Sequence, residues 1–129
     1  MALVVQQARF RPPTMPKAGG SVTFVFDARS TGGATSQKTK YSIPSEFPYE
    51  FDNATDPADS RVVSGEADAV TEDPRDHEQV LILRKVDGAD TRNVFVKAEV
   101  FEVDSTGNPL IDSGQPVQPK VLRGVITLK

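Results

Sequence analysis

The sequence predicts an all-β protein: a single antiparallel β-sandwich, immunoglobulin-like or jelly-roll-like, of about eight strands. Three observations carry that expectation. No stretch of ten or more residues places apolar side chains at i, i+3, i+4 and i+7 without a Pro or Gly inside it, so helical periodicity is missing. Alternating runs rich in Val, Ile, Phe and Thr recur instead. Ten prolines and nine glycines punctuate those runs and leave no room for a crossover helix. The length of 129 residues bounds the chain at one domain with a modest core.

In order along the chain, Ala2–Arg11 reads as a first strand, closed by Pro12-Pro13. Ser21–Ala28 follows, with Val22, Phe24 and Phe26 alternating against Thr23 and Val25. Lys38–Ile43 leaves a Gly32-Gly33 turn and stops at Pro44, and Tyr49–Phe51 is a short extended piece. Arg61–Thr71 is a weaker strand in which Gly65 is expected to mark a bulge. Gln79–Val86 is strong, and its Val80-Leu81-Ile82-Leu83 run predicts burial on both faces. Asp87-Gly88 opens a connection longer than a two-residue hairpin. Val94–Val103 puts Val94, Val96, Ala98 and Val100 on one face. Phe95 and Phe101 lie on the other with Lys97 and Glu99, and are expected as a second core side. Thr106–Pro109 is a turn, Leu110-Ile111 an edge piece, and Val121–Leu128 closes the sandwich with the C-terminal end in a sheet. The Cys pair and Trp of antibody-type domains are missing.

Composition excludes several function classes. With no cysteine there is no disulfide framework, thiolate metal site or Cys nucleophile. The single histidine, His77, leaves any His-based chemistry hanging on one residue. A net charge of −3 argues against nucleic acid and anionic membrane as partners. The opening apolar run ends at Gln6, far short of a signal-peptide core or a membrane span. The expected location is therefore a virion or the cytoplasm. Charge is uneven: residues 1–50 carry +3, residues 51–80 carry −7 and residues 81–129 carry +1.

Five patterns bear on chemistry. Asp52, Asn53, Asp56 and Asp59 crowd one loop with oxygen ligands of the kind calcium takes, but Pro57 interrupts them and the EF-hand Gly and Glu are missing. Asp52, Asp56 and Asp59 remain weak metal candidates, with a solvated Asx-rich turn as the plainer reading. Asn53-Ala54-Thr55 fits the three-residue glycosylation pattern, which is too short to be specific. The cluster Glu72–Glu78 surrounds His77 with carboxylates and reads as an exposed loop rather than a preorganised acid–base site. Gly19-Gly20 and Gly32-Gly33 lead into strands, so neither is a phosphate loop. Glu99 and Glu102, three apart on a strand, face opposite ways. No catalytic set, cofactor or firm metal site emerges, and a non-enzymatic protein is expected.

The segment 1–20 is set apart from a sandwich domain at 21–129. Three prolines and two glycines in residues 11–20 make a semi-rigid linker behind the first strand. That strand either pairs within its own sheet or reaches out as an arm to a neighbour's sheet edge. In the second case Leu3, Val5, Arg9, Phe10, Arg11 and Lys17 form an interface. Asp73, Asp76 and Glu78 supply the complementary charge for a homo-oligomer or larger complex. The expected role is a structural or assembly subunit that binds protein subunits, for which a phage capsid decoration or head–tail connector is a suitable setting. The alternative is a carbohydrate- or calcium-binding module of a surface or secreted protein.

Overall fold

The computed structural model describes residues 2–31, 35–70, 75–103, 108–112 and 114–129. Among them the strands are β1 (Ala2–Arg11), β2 (Thr14–Met15), β3 (Gly19–Thr31), β4 (Thr35–Ser42), β5 (Tyr49–Phe51) and β6 (Val62–Val70). They continue with β7 (Arg75–Lys85), β8 (Asn93–Val103), β9 (Ile111–Asp112), β10 (Gln115–Pro116) and β11 (Lys120–Leu128). A four-stranded sheet, β1-β3-β7-β5, packs on a five-stranded one, β2-β11-β8-β4-β6, and β9 and β10 form a small hairpin. The chain is an all-β sandwich, as the alternation predicts. All pairings are antiparallel except that of β2 with β11, which is parallel.

The core forms where the inward parities of the two sheets meet. Phe24 lies at its centre, with edge-on ring contacts to Phe10 at 5.0 Å, Tyr41 at 5.3 Å and Phe26 at 6.2 Å. Such edge-to-face packing sets the positive ring edge against the negative face. The Phe10 and Phe24 rings also press on β11. A Cβ on Gly124 would stand 2.6 Å from Phe10 and 2.8 Å from Phe24, so only glycine fits there. Tyr41 is deeply enclosed, and burial pushes its phenol well above the ordinary value.

The far end of the interior is different in kind. Gln37 of β4 and Glu102 of β8 are direct register partners and both are buried. Among the described residues neither amide atom of Gln37 nor Oε2 of Glu102 has a hydrogen-bond partner. Buried polar atoms left so carry a desolvation penalty.

Residues 2–11 are the edge strand of their own sheet, paired with β3 from Ala2↔Thr31 to Arg11↔Thr23. Of the two readings of this strand, pairing within its own sheet is the one seen, and the physical reason is burial: Phe10 is 4% exposed and Val5 packs on the core. Val5 and Phe10 differ in parity, so a regular strand could not turn both inward. A bulge between Gln6 and Arg9 inserts the extra residue, with Gln7 at φ +59°, and resets the register. After a cis Arg11–Pro12 peptide the chain crosses to the other sheet as β2.

Three other expectations are corrected. Gly65 sits in regular register with Thr39, and the irregularity falls between Thr35 and Gln37. Gly65 instead makes room for Gln79, whose Oε1 would lie 2.7 Å from a Cβ at that position. Residues 75–78, expected as loop, begin β7 and pair with β3 through Asp27↔Asp76. In the Val80–Leu83 run only Leu81 and Leu83 are buried, while Val80 and Ile82 face solvent. A sheet with one open face imposes alternation even on an all-apolar run.

Candidate interaction surfaces

The outer face of the four-stranded sheet is a lattice of ion pairs. Arg9 of β1 lies 3.5 Å from Asp27 of β3 and 3.6 Å from Asp76 of β7, and Arg11 pairs with Glu78. Arg9 and Glu78 both flank Val25 in register, and Val25 is fully buried although its parity points outward. The stems of these charged side chains cover it. Asp27 and Asp76 are direct cross-strand partners. The Asp27 carboxyl is raised, first by its side-chain hydrogen bond to Asp76 and then by burial. Asp76 is lowered, first as the other half of that bond and then by Arg9 and Arg11. At the other end of β7, Arg84 binds Glu50 at 2.8 Å and Asp52 at 3.1 Å. Between the two ion-pair clusters Val80, 48% exposed, and Ile82 form an open apolar step.

The loop after β5 is built as a rigid projection. Asn53 donates from Nδ2 to the Val80 carbonyl at 2.9 Å and accepts from the Ile82 amide at 3.0 Å, which closes the β7 edge as a strand would. Asp56 accepts from the Ala58 amide at 2.8 Å, Asp59 from the Arg61 amide at 2.9 Å, and the Asp59 amide donates to the Asp56 carbonyl at 3.1 Å. Asp52, Asp56 and Asp59, the candidate metal ligands, thus have local partners. Among the described residues no group of three or more His, Cys, Asp or Glu could hold an ion. Residues 55–59 are all exposed at the loop tip.

The outer face of the five-stranded sheet has a different character. Phe95 of β8 and Val125 of β11 are register partners, both exposed, and Phe95 meets Phe47 edge-on at 5.2 Å. Val121 extends this apolar surface along β11. The expected second core around Phe95 and Phe101 is therefore absent: Phe95 is open and Phe101 half-buried. Beside Phe101 lies a groove of about 570 Å³, lined among others by Lys38, Lys40, Ser64, Val103 and Pro109. Lys38 stands opposite Glu66 and Lys40 opposite Glu99 in register, and Lys97 pairs with Glu99 at 3.5 Å, so the groove's surroundings are of mixed charge.

The sequence-predicted interface residues divide between these places. Arg9, Arg11, Asp76 and Glu78 meet on one face, so the complementary charges expected across two chains are joined within one. Phe10 belongs to the core and Val5 packs against it. Leu3 pairs by its backbone with Ser30, and Lys17 is exposed, its carbonyl accepting from the Tyr49 hydroxyl at 2.6 Å. Asp73 lies outside the described residues. His77, placed on a loop by the sequence reading, stacks on Phe26 at 5.2 Å within β7. The open apolar step was missed, yet a signal existed. Val80 and Ile82 share the parity of Asp76, Glu78 and Arg84, all solvent-side residues.

No family model matches the chain, and no curated protein matches it. In fold it is similar to the solved structure of WR4, a C. elegans MSP family member, at 16% identity and a TM-score of 0.52, over 95% of this chain and 97% of that one. That likeness extends to an immunoglobulin-like sandwich. Among the described residues no helix is long and apolar enough to cross a membrane.

Proposed function

We propose that the protein is a non-enzymatic assembly subunit that binds other protein chains through the outer faces of its sheets, with a virion decoration or connector as the setting that suits it. The observation that supports this reading is the placement of large apolar side chains on rigid strands of both outer faces. Val80 and Ile82 stand on one, Phe95, Val121 and Val125 on the other. Exposed apolar surface rimmed by charge costs solubility unless a partner covers it, and strands present it with little ordering entropy to lose. The only histidine is spent on a ring stack and gives no support to an acid–base role.

The test is sedimentation of the untagged chain from the organism that makes it. The chain is expected in a fraction far above its own 14.0 kDa, and Phe95→Asp with Ile82→Asp is expected to release it. A wild-type chain that sediments as a free 14.0 kDa species overturns the assembly reading. A calcium-dependent rise in melting temperature would favour the ligand-binding alternative instead.

A further inference from the structure

We propose that the outer face of the five-stranded sheet takes up an extended segment of a partner protein in which a carboxylate lies between two large apolar side chains, with Arg123 of β11 holding that carboxylate. This contact rests on the assembly reading and gives its partner a chemistry. Two observations carry it.

The first is an unanswered cation. Arg123 is exposed, and its direct partner across the ladder is Lys97 of β8, so two like charges stand side by side. Like charges placed directly opposite destabilise the strand pair. Lys97 is answered by Glu99 at 3.5 Å, whereas among the described residues Arg123 has neither an ion pair nor a side-chain hydrogen bond. Lys40 of β4 also stands opposite Glu99, so the two rungs that run from β6 to β11 through Lys97 and Glu99 hold three cations and one carboxylate. A guanidinium left over in this way offers a carboxylate two parallel N–H donors.

The second is the spacing of the apolar surface around it. One rung along from Arg123, Phe95 and Val125 are register partners, both exposed, and Phe47 meets Phe95 edge-on. One rung the other way Val121 is exposed. Same-face positions on a strand lie about 6.7 Å apart. β11 therefore presents an apolar, a cationic and an apolar position in a row. An extended segment laid on the face repeats its own inward side chains at the same interval, so apolar-x-Asp/Glu-x-apolar meets all three. Arg61 donates to the Pro44 carbonyl at 3.0 Å and to the Phe47 carbonyl at 2.8 Å, which holds the Phe47 loop against Phe95. A surface already fixed loses little entropy on binding, and apolar flanks shield the central ion pair from water.

The same face of a second copy does not fit, because it would set Arg123 and Lys97 against identical cations.

The experiment titrates the isotope-labelled full-length chain with the peptide acetyl-Leu-Thr-Glu-Thr-Leu-amide and follows backbone amide shifts by NMR. One control peptide carries Gln in place of Glu, and a second carries Ser in place of both Leu. Shifts are expected to cluster at Phe95, Lys97 and residues 121–125. The Glu peptide should bind roughly three- to tenfold tighter than either control, and less tightly as salt rises. Arg123→Gln should bring the Glu peptide down to the affinity of the Gln control and leave that control unchanged, which isolates the pair. An amide spectrum unchanged away from β11 would establish that the variant folds. No shifts at millimolar peptide, equal affinity for all three peptides, or undiminished binding by Arg123→Gln overturns the proposal. So does a chain that dimerises through this face and does so more tightly as Arg123→Gln. Peptide binding failing while the wild type still sediments in a large particle from its own organism sinks this contact and leaves the assembly reading standing. A wild type that sediments free sinks the assembly reading whatever the peptide does.

Discussion

The centre and the far end of the interior follow opposite rules. At the centre Phe10, Phe24, Phe26 and Tyr41 interlock edge to face, and Gly124 is the one residue that lets β11 approach them. At the far end Gln37 and Glu102 face each other in register, buried, and among the described residues both amide atoms of Gln37 and Oε2 of Glu102 lack a hydrogen-bond partner. Just outside that end, Asp27 and Asp76 oppose each other across β3 and β7 and rely on Arg9. Stability is thus concentrated in the aromatic centre, and the far end lowers it.

The sharpest way to break this contrast is Phe24→Ala. It removes the ring on which three aromatic contacts converge, and an unfolding free energy lower by about 3–5 kcal/mol is expected in urea titration. A loss under about 1 kcal/mol would mean that the centre is not where stability resides. Gly124→Val should cost about 1–3 kcal/mol or more by overpacking against Phe10 and Phe24, without changing the denaturant slope. Gln37→Met changes the sign: it removes two orphaned polar atoms at nearly constant volume, so stability should rise, by about 1–3 kcal/mol. A decrease would show that something hidden satisfies Gln37.

The smallest effect lies outside, and it depends on pH. Asp27 is raised, so its share of stability is present at low pH and lost as pH rises through its folded value. Asp76 is lowered, so its share is present above the ordinary carboxylate value and lost on acidification. Asp27→Asn removes one of the two like charges and mimics the protonated carboxyl. Its melting temperature should equal or slightly exceed that of wild type near neutrality, and the difference should close as pH falls. A difference that widens on acidification would contradict the assignment of the proton to Asp27.

Much of this architecture was legible in the sequence, because alternation at period 2 survives wherever one sheet face is dry. Val22, Phe24 and Phe26 faced the core as their spacing indicated, and so did Val94, Val96, Ala98 and Val100. The termini of β1 and β5 fell where Pro12 and the short Tyr49–Phe51 piece indicated. Periodicity failed at pairing. It could not show that Arg9 would find Asp76, 67 residues away in sequence, so a complementarity that is internal read as one between chains. Nor could it show the bulge at Gln7, since nothing in the local composition marks a non-glycine residue for positive φ. The two-residue strands β2, β9 and β10 are too short to carry any period at all. For the candidate surfaces the residues were visible and their setting was not: Lys38 and Lys40 become a groove only once Pro109 is folded beside Phe101.

The crossing of the first strand from one sheet to the other has a mechanical meaning. β2 runs parallel to the end of β11, joined by Thr127↔Thr14 and Leu128↔Met15 and by amide bonds from Thr127 to Pro13 and from Lys129 to Met15. A tensile load between residue 2 and residue 129 drags these parallel segments in opposite directions along their length. Their hydrogen bonds then lie across the force and must fail together, whereas an antiparallel hairpin pulled from its open end unzips one bond at a time. A chain clamped in this way resists a pull along these two segments, and gives way first to forces that peel β1 sideways from β3.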